Sequence, residues 1–272
     1  MDGTGQTVTL EQPARRIASL VPSQTDIILA LGAADRLVAR TQWDEDPRLA
    51  DLPSTGNALM PSVEWLAAQQ PELILAWPDK QARTAVSRLR DLGFAVYAAR
   101  VQTRSEIEQC IAQIGTLLGI EESAERLIAS IHAEIDGVRA AVEGRARPDV
   151  VYLVGVDPPI VAASDTYIDE IIEIAGGRNA FGDAPGLWPT VSLEEIVRRA
   201  PAHVIVATSE GSRAVLESLR SRPGWRDVPA VREGRVHSVD DALFNRPGPR
   251  LGEAARLLSR LLHADAGRGS GR

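Results

Sequence analysis

The sequence predicts an α/β protein of two doubly wound lobes with parallel sheets, joined by one long α-helix. Three observations predict it. Short Val-, Ile- and Ala-rich runs alternate with capped helical patterns. An internal repeat recurs at a spacing of 130 residues. Between the two copies lies one uninterrupted amphipathic stretch.

The apolar runs are 16–21, 37–40, 73–77, 95–99, 149–155, 203–208 and 235–239, and they read as buried strands. Helix starts are marked by Ser23 before DIILALG, Ser62 before VEWLAAQQ, Thr166 before YIDEIIEIAGG and Ser192 before LEEIVRRA. When SVEWLAAQQPELILA is laid over SLEEIVRRAPAHVIVA, Ser62 meets Ser192, Glu64 meets Glu194 and Pro71 meets Pro201, each pair 130 positions apart, with LILA displaced by one residue from VIVA. DIILALG echoes EIIEIAG, and the strand at 16–21 echoes that at 149–154, in the same order. Capped helices and buried strands are common singly, but their shared order points to duplication.

Residues 121–145 carry Leu127, Ile131, Ile135, Val138 and Val142 at helical spacing, predicting a helix of about 22 residues, roughly 33 Å long at 1.5 Å per residue. A single helical connector would confine the lobes to small tilts. The expected organisation is an N-terminal lobe over 1–120, the connecting helix over 121–145, a C-terminal lobe over 146–266 and a disordered tail over 267–272.

Composition removes several function classes. The net charge is -7 and the arginines are scattered, so no nucleic-acid footprint is present. Lys80 is the sole lysine, which reads as compositional bias. Cys110 is the single cysteine and sits in an apolar stripe, leaving no internal disulfide or cysteine metal site. No run reaches the roughly 20 apolar residues of a spanning helix, and the start MDGTGQTVTLEQPARR carries no signal-peptide core or lipidated cysteine. Those features fit a soluble chain, including an exported one whose leader has been removed.

No catalytic constellation emerges, so the chain reads as a non-enzyme without metal site or cofactor. His132, His203, His237 and His263 lack ligand spacing. SLVPSQTD lacks the glycines of a dinucleotide turn, and no phosphate-binding Gly-Lys motif exists. WDED at 43–46 reads as a solvated turn. What remains are aromatics and one arginine in loops near strand ends, where open α/β sheets bind ligands. These candidate contacts are Trp43, Trp77, Trp188, Phe244 and Arg246, with Trp188 the strongest because it stands in a turn between glycine and proline with little local core. The alternative for Trp43 and Trp77 is that they only cap sheet ends. Trp65 and Trp225 read as structural. Ser192 with Glu195 has the spacing of a capping box, leaving Glu194 and its counterpart Glu64 either to complement helix dipoles or to face an outside partner.

RIASLVPSQTDIILALGAADRLVA, VEWLAAQQPELILAW, GVDPPIVAASDTYIDEIIEIAGGRNAF and LWPTVSLEEIVRRAPAHVIVA resemble the periplasmic binding proteins of ABC importers whose lobes are joined by one long helix. The resemblance covers about residues 6–264, and the last two segments are most similar to cobalamin-binding members. It implies extracytoplasmic capture of cobalamin or a similar corrinoid in a cleft between lobes, a monomer, and delivery to a membrane permease whose arginines meet one glutamate per lobe, here Glu64 and Glu194. Haem or a ferric siderophore is the alternative cargo, and a cytoplasmic sensor or enzyme the competing class. Haem would call for an axial ligand such as Tyr167, and an anionic siderophore for arginines such as Arg40, Arg178 and Arg246. Cobalamin-binding members carry an aromatic where STGNALMP, 54–61, has none, a gap that Trp43 fills, and VDDALFNRPGPR matches only loosely.

Overall fold

A computed structural model describes residues 2–56, 62–78, 82–208 and 210–264. Lys80, residues 57–61 of the aromatic-free loop and the tail over 267–272 lie outside them. The elements in chain order are β1 (Ile17–Ser19), α1 (Pro22–Ala30), β2 (Leu37–Ala39), α2 (Val63–Ala68), β3 (Leu73–Ala76), α3 (Arg83–Asp91), β4 (Val96–Ala98), α4 (Arg104–Leu118) and α5 (Glu121–Val142). After these come β5 (Asp149–Val156), β6 (Pro159–Val161), α6 (Tyr167–Ile174), β7 (Arg178–Asn179), α7 (Leu193–Arg199), β8 (His203–Ala207), α8 (Ser212–Ser221), α9 (Pro229–Arg232), β9 (Val236–Val239), α10 (Asp241–Phe244) and α11 (Leu251–Leu262). Two compact units result, Met1–Val101 with Ser105–Ala129, and Gln102–Arg104 with Ser130–Arg272. The division falls inside α5 and assigns Gln102–Arg104 to the second unit, unlike the boundaries expected from sequence.

In the first unit the sheet order is β2-β1-β3-β4, all parallel. Ala18, Leu20, Val63, Leu66, Ile74, Val86, Leu89 and Val96 form one core beside it. The chain leaves β1 toward β2 on one side and β3 toward β4 on the other, which places a topological switch at the carboxyl ends of β1 and β3. In the second unit β5-β8-β9 repeats this order, with β7 standing parallel to β5 where β2 stands beside β1.

The second sheet is not purely parallel. β5 runs eight residues, and its later half pairs antiparallel with β6. The signals for β6 and β7 are three and two residues long, too short for periodicity to register.

Strand pairing sharpens the repeat. Ile17 lies opposite Leu73, and Val150 lies opposite His203. The Glu72 N–H donates to the Arg16 carbonyl, and the Ala202 N–H to the Asp149 carbonyl, both at 2.8 Å. Leu73 therefore corresponds to His203, and the one-residue displacement of LILA disappears: the 130-residue spacing continues through the strand. The backbone repeats as well. Gln70 and Ala200, each just before its proline, sit in the left-handed region at φ 49° and 47°.

Three of the four expected caps form. Ser62, Thr166 and Ser192 accept from the N–H groups of Trp65, Asp169 and Glu195. Ser23 does not cap α1; Pro22 occupies the first helical turn, its fixed φ suiting that place, and Ser23 is buried. In α5, Ile131, Ile135 and Val138 of the expected stripe are buried. α4 approaches α5 through Gly115, where a methyl group would come within 2.6 Å of the Ala124 side chain. Cys110 is buried, and burial pushes its thiol up to about 12. No described helix is long and apolar enough to cross a membrane.

Near the start of the chain Asp2 is buried against β4. It accepts from the N–H groups of Thr4, Gln6 and Ala98 and pairs with Arg90 at 2.5 Å. Burial alone would raise its pKa, but hydrogen bonds from the Thr4 hydroxyl and from the Thr4, Gln6 and Ala98 N–H groups outweigh it and hold the carboxyl below its ordinary 3.8. A depressed folded-state pKa contributes stability above the unfolded value and loses it as pH falls through the folded one. Asp2→Asn is expected to lower urea-unfolding stability at pH 7, with the gap from wild type closing as pH drops below about 3.8; a gap constant to pH 2 would contradict this origin.

Ala200→Gly removes the cost of a left-handed Cβ, roughly 1–2 kcal/mol, against a smaller entropy gain of the unfolded chain. A net stabilisation of about 0.5–1 kcal/mol, read as a higher thermal midpoint, is expected.

Candidate functional site

Each unit offers its own loops at the carboxyl ends of its strands. In the first, β2 runs into Thr41–Asp44 and β3 into Trp77. Trp43 exposes 41% of its surface, and Trp77 is half-buried. The Trp43 loop is held from beneath: Asp44 is 4% exposed and accepts from the Thr41 N–H at 2.6 Å, while the Arg40 guanidinium donates to the Thr41 and Asp44 carbonyls. Within WDED, Trp43 and Glu45 are exposed as a solvated turn would have them, but Asp44 folds inward and fixes the loop that presents Trp43. Among the described residues no group of three or more His, Cys, Asp or Glu is placed to hold a metal.

In the second unit GLWPT is not a free turn. The Ala163 and Val161 N–H groups donate to the Leu187 and Pro189 carbonyls, the Val191 N–H donates to the Pro159 carbonyl, and Thr190 bridges Ile160. The segment is thus an extended strip antiparallel to β6, with Gly186 at φ 81° admitting the chain into it. Trp188 is half-buried, and its indole N–H donates to the Gln102 side-chain oxygen at 2.9 Å. The Gln102 carbonyl in turn accepts from the Tyr167 N–H, and the Tyr167 ring lies 6.1 Å from that of Trp188, tilted by 59°. Trp188 is held in place with part of its surface accessible. Gln102 escapes sequence reading because it acts 86 residues from its partner.

Phe244 is corrected. It is fully buried and stacks on Tyr152 at 6.2 Å, while the Tyr152 hydroxyl donates to Asn245. Its ring therefore packs the core under the loop after β9 and presents no face to a ligand. Arg246, in the same loop, is half-buried. Arg178 stands at the amino end of β7 and pairs with Asp149, away from the loop end of the sheet. Trp65 flanks the first unit's core, and Trp225 is buried in the second's.

Tyr167 is buried, and burial, followed by the charge of Asp241, raises its hydroxyl pKa far above the ordinary 10. Tyr152 shifts the same way, from burial first. His203 and His237, on neighbouring strands, face each other at 3.0 Å, and His263 lies 3.2 Å from the Ala175 carbonyl.

Glu64 and Glu194 occupy the same place, second in helices capped by Ser62 and Ser192, and both are exposed. Their surroundings differ. Glu64 pairs with Arg88 of α3 at 2.8 Å. The Glu194 carboxyl is held below its ordinary range first by its own backbone N–H and then by the Ser192 hydroxyl. Glu195 pairs with Arg198 and Arg199, and its expected role as the acidic half of a capping box is not what stabilises it.

Residues 17–243 match the family described as periplasmic binding protein. The chain belongs to this family. It is 29% identical over 271 residues, 97% of this chain and 85% of the relative, to an uncharacterized ABC transporter substrate-binding lipoprotein, YvrC, of Bacillus subtilis. It is 28% identical over 243 residues, 89% of this chain and 87% of the relative, to a vitamin B12-binding protein of Vibrio cholerae. Among solved structures it is similar to the periplasmic heme-binding protein RhuT of Roseiflexus sp. RS-1, at 29% identity and TM-score 0.81 over 93% of this chain and 99% of that one. It is similar also to the periplasmic vitamin B12-binding protein BtuF of Vibrio cholerae, at 25% identity and TM-score 0.78 over 93% and 98%. The chain is thus a substrate-binding protein of the ABC-importer type, and its relatives are periplasmic proteins or lipoproteins.

Replacing Gln102 by Leu leaves the Trp188 N–H without its acceptor, which costs about 1 kcal/mol. A shifted Trp188 emission in a variant with its other tryptophans changed to Phe is expected; an unchanged spectrum would show that Gln102 does not set the indole's environment.

Proposed function

We propose that the protein captures cobalamin or a similar corrinoid outside the cytoplasm and hands it to an ABC-importer permease, without catalysing a reaction. The observation that carries this reading is Trp188, held by Gln102 and Tyr167 and only half-buried. A corrin presents broad, partly apolar faces rimmed by amides, which a fixed indole covers at little conformational cost. Trp43 and Trp77 supply comparable surface in the first unit, and Arg246 a polar contact in the second. The similarity to vitamin B12-binding proteins over nearly the whole chain supports the same cargo.

Haem is the second reading, favoured by the similarity to RhuT. Against it, the Tyr167 and Tyr152 hydroxyls are buried and pushed toward the protonated form, and the two strand histidines are turned to each other. An axial ligand for iron would require Tyr167 to leave its place behind Trp188. A siderophore is less favoured, because Arg178 is committed to Asp149.

Glu64 and Glu194 are assigned to permease docking because they recur at one place in both lobes and carry exposed charge at helix starts.

Titration with cyanocobalamin is expected to quench tryptophan emission saturably at micromolar concentration or below. Trp188→Ala should weaken binding by roughly tenfold or more, the effect of losing a central aromatic anchor. Saturable hemin binding with a Soret shift, and no response to cobalamin, would move the assignment to haem.

A further inference from the structure

The two docking acids sit in different electrostatic company, because the two repeats differ in the residues around them. Position 195, after Glu194, is glutamate; the equivalent position after Glu64 is Trp65. On α7 the helical spacing makes Arg198 the natural partner of Glu194, four residues on. Arg198 pairs with Glu195 instead, and Arg199 is also taken by Glu195, by Asp183 and by the Ala180 carbonyl. The Arg199 guanidinium lies over the Phe181 ring at 4.6 Å from its centre, a further anchor. Among the described residues Glu194 makes no ion pair, and its charge is stabilised only by the helix start.

On α2 no acid stands beside Glu64 to draw a cation away. Four residues on lies Ala68, so the helix itself offers no partner. The cation comes from α3: Arg88 reaches Glu64 at 2.8 Å, with side chains 63% and 70% exposed. A cationic partner approaching Glu64 meets a guanidinium already there; one approaching Glu194 does not.

We propose that the two docking points are unequal: Glu195 keeps Glu194 open by holding Arg198, whereas Arg88 masks Glu64 and must be displaced by a cationic group of the partner. This rests on the docking assignment made above. Glu194 is then the first anchor, and Glu64 closes once its own arginine has turned away. An exposed ion pair is weak, so displacement is easy: the mask lowers affinity by roughly 1.4- to fivefold.

The experiment measures binding of the full chain to its cognate permease complex in nanodiscs at low and high salt, with circular dichroism and thermal melting confirming that each variant folds. Arg88→Gln is expected to tighten binding by roughly 1.4- to fivefold, with the gain shrinking at high salt. Arg198→Gln, which removes the same charge from a side chain already held by Glu195, is expected to change binding less. In an E195Q background, Arg198 should turn to Glu194, so that E195Q weakens binding and adding R198Q restores it. Equal shifts from R88Q and R198Q would mark a general charge effect and overturn the masking, with the docking assignment intact. If reversing both Glu64 and Glu194 to lysine leaves binding unchanged, the docking assignment fails and the masking falls with it.

Discussion

The structure depends on one pairing made twice: a first strand laid parallel to the strand that follows the capped helix, Ile17 against Leu73 and Val150 against His203. This pairing sets the switch point of each sheet, and with it the end at which loops gather. It also fixes the caps. Because α2 and α7 each enter their strands through a left-handed residue and a proline, the helix starts and their acids come to the same place in both units. The second unit accommodates its differences beside β5, where β6 and the strip carrying Trp188 are added without disturbing the central pair.

The central strands were legible because buried parallel strands are continuous apolar runs with no polar alternation to confuse their ends. RIASLV, LILAW and HVIVAT each contain the observed strand. Ser62, Thr166 and Ser192 were legible as caps for a local reason: the bond they accept closes within three residues. Ser23 misleads because Pro22 competes for the same turn with a constraint that needs no side-chain acceptor. β6 and β7 were not legible, since their pairing is decided by where β5 lies.

The site was legible in part. An aromatic close to a strand end has two fates that composition does not separate: it faces outward if something beneath it fills the core, and inward if nothing does. Phe244 fills the space against Tyr152 and is lost to the solvent side. Trp43 stays out because Asp44 and Arg40 occupy the space below it with backbone hydrogen bonds. Trp188 stays partly out because Tyr167 and Gln102 lie against it. Each outcome turns on a polar or aromatic neighbour whose position only the fold supplies.

The same reasoning applies to the acids. Spacing alone pairs Ser192 with Glu195 as a capping box and Glu194 with Arg198 as a helical ion pair. Neither arrangement carries the observed charges, because one glutamate with two arginines within reach satisfies both at once. A capping box satisfies a single N–H already open to water, whereas Glu195 meets two guanidiniums, one of them anchored on Phe181 and Asp183. That choice leaves Glu194 with the helix start. In the first unit Trp65 makes no such choice, and Glu64 is left to the nearest cation of another helix. Two equivalent acids thus differ through the residues around each, Glu195 and Arg198 in one unit and Trp65, Ala68 and Arg88 in the other, on a backbone that is the same to within 2° at the left-handed position, φ 49° against 47°.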